Sequence, residues 1–158
     1  FEIGAIGEEA FYRSLREGSG KELSTADINK AWNAMLLDVP SERLDFIRAI
    51  AKRHRVFLFS NTNSIHKTAF DKTLELQLGP GGFDKLFEKA YYSHSFGMRK
   101  PHVETYEALL KDAGLKAETT LFIDDNADNI RGAAEAGLQV LHLTGELLEE
   151  PRLQELTR

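Results

Sequence analysis

Cysteine is absent from this chain of 158 residues, which excludes disulfide bonds, thiolate metal sites and thiol nucleophiles. The sequence also lacks any apolar run long enough to span a bilayer and any signal-peptide pattern. These absences favour a cytoplasmic location. The net charge of −5, with no lysine- or arginine-rich block, argues against nucleic acid or a membrane surface as a partner.

A starting methionine is absent too, because the chain begins at Phe1, and we therefore expect a fragment of a longer protein. Its length and 42% hydrophobic content fit one compact domain with a small appendage. The first third predicts only helices, since apolar side chains recur at helical spacing between capping residues. These helices cover residues 8–15, 24–37 and a segment from 40 onwards, and residues 1–53 are expected to form a helical cap portion.

Strands and helices alternate from Val56 onwards. This alternation predicts an α/β fold over residues 54–158, with a Rossmann-like, mainly parallel sheet and helices on both faces. The expected strands are residues 56–59, 90–93, 120–123 and 139–143. The expected helices are residues 64–76, 101–113 and 127–136, followed by a surface helix after residue 145.

Two adjacent carboxylates, Asp124 and Asp125, follow the third of these strands. Their mutual repulsion is costly unless a cation offsets it, and Mg²⁺ accepts oxygen ligands at about 2.0–2.1 Å. Because neighbouring side chains of a strand point to opposite faces, both need not bind the metal directly. The alternative interpretation is that they cap the helix that begins near Ala127. Asp128 and Asn129, in its first turn, are expected to be capping or dipole-complementing groups.

Polar groups also follow the first strand, at Ser60, Asn61 and Thr62. A hydroxyl and backbone N–H groups in such a turn can bind phosphate oxygens, although these residue types are equally common in ordinary turns. Lys100 precedes Pro101, which is expected to start a helix. A lysine held there can neutralise phosphate charge, whereas the alternative is a solvated side chain. Ligands of open α/β sheets bind at the carboxyl ends of the strands, where these groups should meet.

Three segments, in this order, resemble motifs of the haloacid dehalogenase superfamily, in its phosphatase branch with a small helical cap. Residues 57–63 (FLFSNTN) resemble its second motif, residues 97–101 (GMRKP) its third, and residues 122–129 (FIDDNADN) its fourth. The resemblance covers residues 56–143 and is nearest to bacterial sugar-phosphate phosphatases, such as glucose-1-phosphatase, and to the N-terminal phosphatase domain of epoxide hydrolases.

The resemblance implies Mg²⁺-dependent hydrolysis of a small phosphorylated metabolite, such as a sugar phosphate, through an aspartyl-phosphate intermediate. It implies that Ser60, Lys100 and Asp125 are catalytic, that Asp125 is the more direct metal ligand, and that Asp124 supports it. Phosphate would bind at Ser60, Asn61, Thr62 and Lys100.

A non-catalytic phosphate-binding, metal-binding or structural module is one alternative to this function. A haloacid dehalogenase is another, but the aspartate pair favours the phosphatase branch.

One family element is missing. The nucleophilic aspartate of this superfamily ends a first, central strand, whereas the aspartates before Val56 (Asp27, Asp38 and Asp45) do not end apolar strands. We therefore expect the nucleophile upstream of this chain and the chain alone to be inactive. The strands at residues 56–59 and 120–123 should then lie about 9–10 Å apart, twice the usual interstrand spacing. Phe11, Tyr12, Trp32 and Asn63 are candidates for substrate contact, although packing on an apolar helical face is the first interpretation for Trp32.

Overall fold

The computed structural model describes residues 1–158. Its helices are α1 Glu8–Ser19, α2 Thr25–Asn33, α3 Ser41–Ala51, α4 Ser64–Leu78, α5 Ser93–Phe96, α6 Val103–Ala113, α7 Ala127–Glu135 and α8 Pro151–Glu155. Its strands are β1 Phe57–Ser60, β2 Lys89–Tyr92, β3 Leu121–Asp124 and β4 Gln139–His142, and 3-10 turns cover Asp84–Leu86, Ala117–Thr119 and Leu147–Glu149. None of the helices has the length and apolar character that crossing a membrane requires.

Helices α1 and α2 share a small apolar core with the start of α4. The side chain of Ser24 begins α2, because it accepts a hydrogen bond from the Asp27 N–H at 3.1 Å. The core of this unit consists of Phe11, Tyr12, Ile28 and Ile65, all of them buried. Helix α3 packs elsewhere, against the 3-10 turns at Asp84–Leu86 and Leu147–Glu149.

The strands form two separate parallel pairs. In the first pair β1 lies beside β2, with Phe57 opposite Lys89 and Ser60 opposite Tyr92. In the second pair β3 lies beside β4, with Asp124 opposite His142. Each crossover contains a helix, α4 in the first pair and α7 in the second. The predicted α/β class with parallel strands is confirmed.

A cleft of about 1060 Å³ lies between the two strand pairs. Residues of both β1 and β3 line it, and 21 of its 32 lining residues are hydrophobic, so it has the character of a core with an element missing. No hydrogen bonds join β1 to β3. The prediction that these two strands do not pair directly is therefore confirmed. We refer to this space as the inter-strand cleft.

Helices α6 and α7 pack together beside β3. Their shared core contains Tyr106, Leu110, Ala133 and Leu138, with Phe59 and Phe122 packed against it. Gly132 of α7 makes the close approach possible, since an added Cβ would lie 2.0 Å from the carbonyl oxygen of Pro101. The loop after Lys100 and the helix after Asp125 are thereby held in direct contact.

Several element boundaries differ from the sequence-based expectations. Strands β1 and β3 each begin and end one residue later than predicted, so Ser60 and Asp124 belong to the strands themselves. Pro101 does not start α6, which begins at Val103, after His102 in extended backbone at its N-cap. The short helix α5 was not predicted, because four residues are too few to show helical periodicity.

Candidate active site

Lys100 and Asp124 meet at the carboxyl end of the strands, where Lys100 Nζ lies 2.7 Å from Asp124 Oδ2. Asp124 is the last residue of strand β3, and Lys100 lies in the loop between α5 and α6. Both side chains are nearly buried, with 10% of the lysine and 7% of the aspartate side chain exposed. Two groups separated by 24 positions in the sequence thus form one buried ion pair.

The ammonium group of Lys100 is fixed in place by further contacts. It donates a second hydrogen bond to the carbonyl oxygen of Phe59 at 2.9 Å. The rings of Phe59 and Phe122 lie 5.2 and 5.5 Å from Nζ, within the range of a cation–π contact. An ammonium has three N–H donors, and two are used here, so one remains for a ligand.

Both oxygens of Asp124 are occupied by donors of the chain. Oδ2 accepts from Lys100, whereas Oδ1 accepts from the Asn126 N–H at 2.9 Å and from Asn129 Nδ2 at 3.0 Å. Burial acts to raise the pKa of the Asp124 carboxyl, but the hydrogen bonds from Lys100, Asn126 and Asn129 outweigh it and hold this pKa below its ordinary value. Asp124 is therefore a fixed carboxylate that orients Lys100.

Asp125 is in a different environment. It is exposed, and its backbone carbonyl oxygen, rather than its carboxylate, faces His142 Nε2 at 3.0 Å. The alternative interpretation as a helix cap does not describe it, because Asn126 caps α7 by accepting from the N–H groups of Asp128 and Asn129. Asp128 pairs with Arg131 instead. The Asp125 carboxylate is thus available to an external cation.

This donor set fits Mg²⁺. The ion binds proteins through one or two carboxylates and keeps several waters, and the free Asp125 carboxylate supplies such oxygens, while the neighbouring Asp124 is engaged by Lys100, Asn126 and Asn129. No cluster of three or more carboxylate, imidazole or thiolate groups suited to a metal ion occurs in the chain. Residues 1–158 therefore supply only part of a candidate metal site, whose donors are carboxylate oxygens.

The side chain of Asn61 joins the segment after β1 to the loop that carries Lys100, which we call the lysine loop. Asn61 Nδ2 donates to the Lys100 carbonyl oxygen, and the Lys100 N–H donates to Asn61 Oδ1, both at 3.0 Å. Ser60 ends β1 beside them. The Thr62 N–H donates to Ser93 Oγ at 2.9 Å, so this backbone group is already satisfied within the chain. Of the predicted phosphate-binding residues, the structure joins Asn61 to Lys100, places Ser60 next to Asn61 at the end of β1, and leaves the Thr62 N–H engaged by Ser93.

Sequence reasoning missed two supporting residues. Asn129 was expected to cap α7, yet its side chain holds Asp124. Tyr106 is 1% exposed, and its hydroxyl donates to the Asn129 carbonyl oxygen at 2.7 Å. Burial, and more weakly the charge of Asp124, raise the pKa of Tyr106 far above its ordinary value, so its hydroxyl stays a donor. Asp124 lies five positions before Asn129 and outside α7, so helical spacing in the sequence carried no signal for this contact.

The four residues predicted to contact substrate are engaged in packing or in helix capping. Phe11 and Tyr12 are buried members of the small core, and Trp32 packs against that core. The Trp32 ring also stacks on His66 at 5.6 Å. Asn63 is 2% exposed and caps α4 by accepting from the His66 N–H at 3.0 Å. Packing and capping thus account for the positions of these residues.

Comparison with known proteins agrees with this geometry. A family model described as haloacid dehalogenase-like hydrolase matches residues 5–137. A D-ribitol-5-phosphate phosphatase from Bacteroides thetaiotaomicron is 29% identical over 139 residues, which cover 87% of this chain and 66% of that protein. A sesquiterpene phosphatase from Aspergillus oryzae is 32% identical over 117 residues, which cover 74% of this chain and 57% of that protein. The chain thus spans less than two thirds of the length of these relatives.

Similar solved structures are also described as HAD family proteins. A HAD family enzyme from Bacteroides thetaiotaomicron, crystallised with magnesium and inorganic phosphate, superposes with a TM-score of 0.87 at 34% identity. The match covers 94% of this chain and 73% of that one. A predicted HAD-like family hydrolase from Porphyromonas gingivalis superposes with a TM-score of 0.82 at 30% identity and covers 99% of this chain and 76% of that one. The chain belongs to the haloacid dehalogenase-like hydrolase family.

Proposed function

We propose that the protein containing this chain is a Mg²⁺-dependent phosphomonoesterase that acts on a small phosphorylated metabolite through an aspartyl-phosphate intermediate. The observation that carries this proposal is the buried Lys100–Asp124 pair, which presents a fixed positive charge with a free N–H at the carboxyl end of the strands. Support comes from the phosphatase relatives and from the magnesium and phosphate crystallised with the similar enzyme.

Each residue has a separate task in this proposal. Asp125 binds Mg²⁺ directly, and Asp124 supports the site by holding Lys100. Bound Mg²⁺ offsets the charge of the phosphate and of the attacking carboxylate. Ser60 Oγ, the Asn61 N–H and Lys100 Nζ hold the phosphoryl group in line for attack. Asn61 also accepts from and donates to the backbone of Lys100, so two hydrogen bonds join the segment after β1 to the loop that carries the lysine.

We propose that the attacking aspartate comes from a strand that fills the inter-strand cleft and lies outside residues 1–158. The cleft separates β1 from β3, and their last residues are Ser60 and Asp124. A strand paired with both would end between these two groups, where a nucleophile is needed. Residues 1–158 alone would then bind phosphate and metal without turnover.

We also propose a division of the chain into a cap portion, residues 1–53, and an α/β core, residues 54–158. Phe11, Tyr12 and Ile28 of one apolar cluster support grouping α1 with α2, and Ile65 of α4 in the same cluster attaches this group to the core. Helix α3 joins the two parts, and its Arg43 pairs with Glu146 of the core at 2.8 Å.

The experiment that tests this function measures phosphate release by the complete gene product from p-nitrophenyl phosphate. We expect activity with added Mg²⁺, loss of activity with a chelator, and recovery on adding Mg²⁺ back. A chelator-resistant activity contradicts the phosphatase assignment. Phosphate binding without turnover, in a protein that contains the upstream segment, supports the non-catalytic module instead.

A further inference from the structure

Ser93 uses its hydroxyl to bind the backbone of a residue far away in the sequence, Thr62. Ser93 is the first residue of α5 and is fully buried, with 0% exposed. No side chain caps α5, so this hydroxyl does not serve its own helix. Instead, Ser93 Oγ accepts a hydrogen bond from the Thr62 N–H and donates one to the Thr62 carbonyl oxygen, both at 2.9 Å. One buried side chain thus satisfies both backbone polar groups of Thr62.

These two hydrogen bonds continue the pairing of β1 with β2 beyond the end of the strands. The ladder ends with Ser60 opposite Tyr92, and the chain then turns into α5, so the ladder cannot reach Thr62. Thr62 is 7% exposed, and no other backbone group bonds to it. A buried N–H and carbonyl oxygen need partners, and the Ser93 side chain supplies both of them.

The segment 93–100 is bonded at both of its ends to the turn that follows β1. At one end Ser93 bonds to Thr62. At the other end the backbone of Lys100 makes two hydrogen bonds with the Asn61 side chain, both at 3.0 Å. Four hydrogen bonds therefore close a ring that contains α5, the lysine loop and residues 61 and 62. We call this ring the α5 ring.

Ser93 acts on the peptide planes beside the proposed phosphate contacts. A peptide group is planar, so bonding both the N–H and the carbonyl oxygen of Thr62 fixes the planes on either side of this residue. On the other side of Asn61, Ser60 is held in the ladder opposite Tyr92. The Asn61 N–H lies between these two fixed points. The proposed function uses this N–H, together with Ser60 Oγ, to hold the phosphoryl group.

We propose that Ser93 is a positioning residue, which holds the Asn61 N–H and Ser60 Oγ in the orientation that phosphoryl transfer needs. The inference rests on the proposed phosphatase function and adds to it a residue that acts through the Thr62 backbone. Preorganised donors act most strongly on the charge of the transition state, so loss of this orientation lowers kcat more than it weakens substrate binding. A purely structural serine would change stability alone.

The test compares Ser93→Ala with the wild type in the complete gene product, assayed with Mg²⁺ and p-nitrophenyl phosphate. We expect kcat to fall about tenfold to a hundredfold, because a small misplacement of reacting groups has an effect of this size, and KM to change by less than about threefold. Orthovanadate adopts the five-coordinate geometry of the transition state, so its inhibition should weaken by the same factor as kcat, whereas inhibition by inorganic phosphate should change little. Unchanged kinetic constants with a lower melting temperature, or a rise in KM alone, overturn the inference.

Ser95→Ala is the matched control. Ser95 lies on the same helix, and its hydroxyl donates to the Tyr92 carbonyl oxygen at 3.0 Å, outside the four hydrogen bonds of the α5 ring. We expect the kcat of Ser95→Ala and its inhibition by orthovanadate to match those of the wild type. An equal loss of kcat in Ser95→Ala and Ser93→Ala contradicts a specific role of Ser93.

Ser93→Cys keeps nearly the same side-chain volume but forms weaker hydrogen bonds, so its kcat should lie between those of Ser93→Ala and the wild type. Should Ser93→Ala fail to fold, Ser93→Cys decides: a lower kcat with weaker inhibition by orthovanadate supports the inference, and the wild-type kcat overturns it. Mg²⁺-dependent hydrolysis by the wild type with unchanged constants in the Ser93 variants refutes only this inference. No hydrolysis by the wild type refutes the proposed function, and this inference with it.

Discussion

At the scale of single residues, the two neighbouring aspartates have different chemistry because their surroundings differ. Asp124 is nearly buried and accepts hydrogen bonds from three donors, whereas the carboxylate of Asp125 is exposed. A carboxylate already saturated by donors is a poor metal ligand, and a free one is a good ligand. Asp125 is thus the residue that we propose as the direct ligand of a metal ion.

Asp125→Asn should abolish Mg²⁺-dependent turnover of the complete protein while leaving it folded, because the side chain keeps its shape and loses its charge. Stability without metal should stay equal or rise, since repulsion from Asp124 is relieved. Phosphate release and thermal unfolding measure the two effects. Asp128→Asn is the control, because it removes the same charge from an exposed residue that pairs with Arg131. Near-normal activity of Asp125→Asn places the metal elsewhere.

Lys100→Ala should lower kcat by about 10²–10³ and change KM much less, because the ammonium charge matters most when charge shifts during phosphoryl transfer. Lys100→Arg should restore little of this loss, since a planar guanidinium cannot replace a compact ammonium held between Asp124 and the Phe59 carbonyl. Steady-state kinetics give both parameters, with the exposed Lys111→Ala as control. A rise in KM alone assigns Lys100 to ground-state binding.

At the scale of elements, the parts of the site that end apolar runs were predictable. Ser60 and Asp124 follow apolar strand residues, and parallel strands bring their carboxyl ends to one edge, so the sequence alone predicted them at this edge. The different roles of Asp124 and Asp125 could not be predicted from the sequence. They depend on which carboxylate receives Lys100, Asn126 and Asn129, and such tertiary contacts leave no periodic signal.

The packing of α7 against the lysine loop could not be predicted from the sequence either, because a glycine within a helix usually signals only low helix propensity.

Gly132→Ala should destabilise the protein by about 1–3 kcal/mol, since its Cβ would lie 2.0 Å from the Pro101 carbonyl oxygen. Chemical denaturation measures this change. Activity should fall as well, because α7 carries Asn129 and the loop carries Lys100. Gly145→Ala, with no atom within 4 Å of its added Cβ, should change stability by less than about 0.5 kcal/mol. Equal effects of the two substitutions contradict the proposed contact.

At the scale of the whole molecule, the inter-strand cleft determines what residues 1–158 can do alone. Each buried backbone group left without a partner along the free edges of β1 and β3 costs about 1–3 kcal/mol. Several such groups approach the total stability of an ordinary domain, about 5–15 kcal/mol. The apolar lining of the cleft adds to this cost, because water would contact Phe57, Phe122 and their neighbours.

We therefore predict that residues 1–158 alone are far less stable than the complete gene product. Urea unfolding followed by circular dichroism should show a lower midpoint for residues 1–158, and hydrogen exchange should show weak protection in β1 and β3. In a crystal structure of the complete protein, β1 and β3 should lie about 9–10 Å apart, with one strand hydrogen-bonded to both. Direct pairing of β1 with β3 at about 4.8 Å, or equal stability of the two proteins, contradicts this prediction. Either result would favour a non-catalytic module, because the nucleophile would then have no place between Ser60 and Asp124.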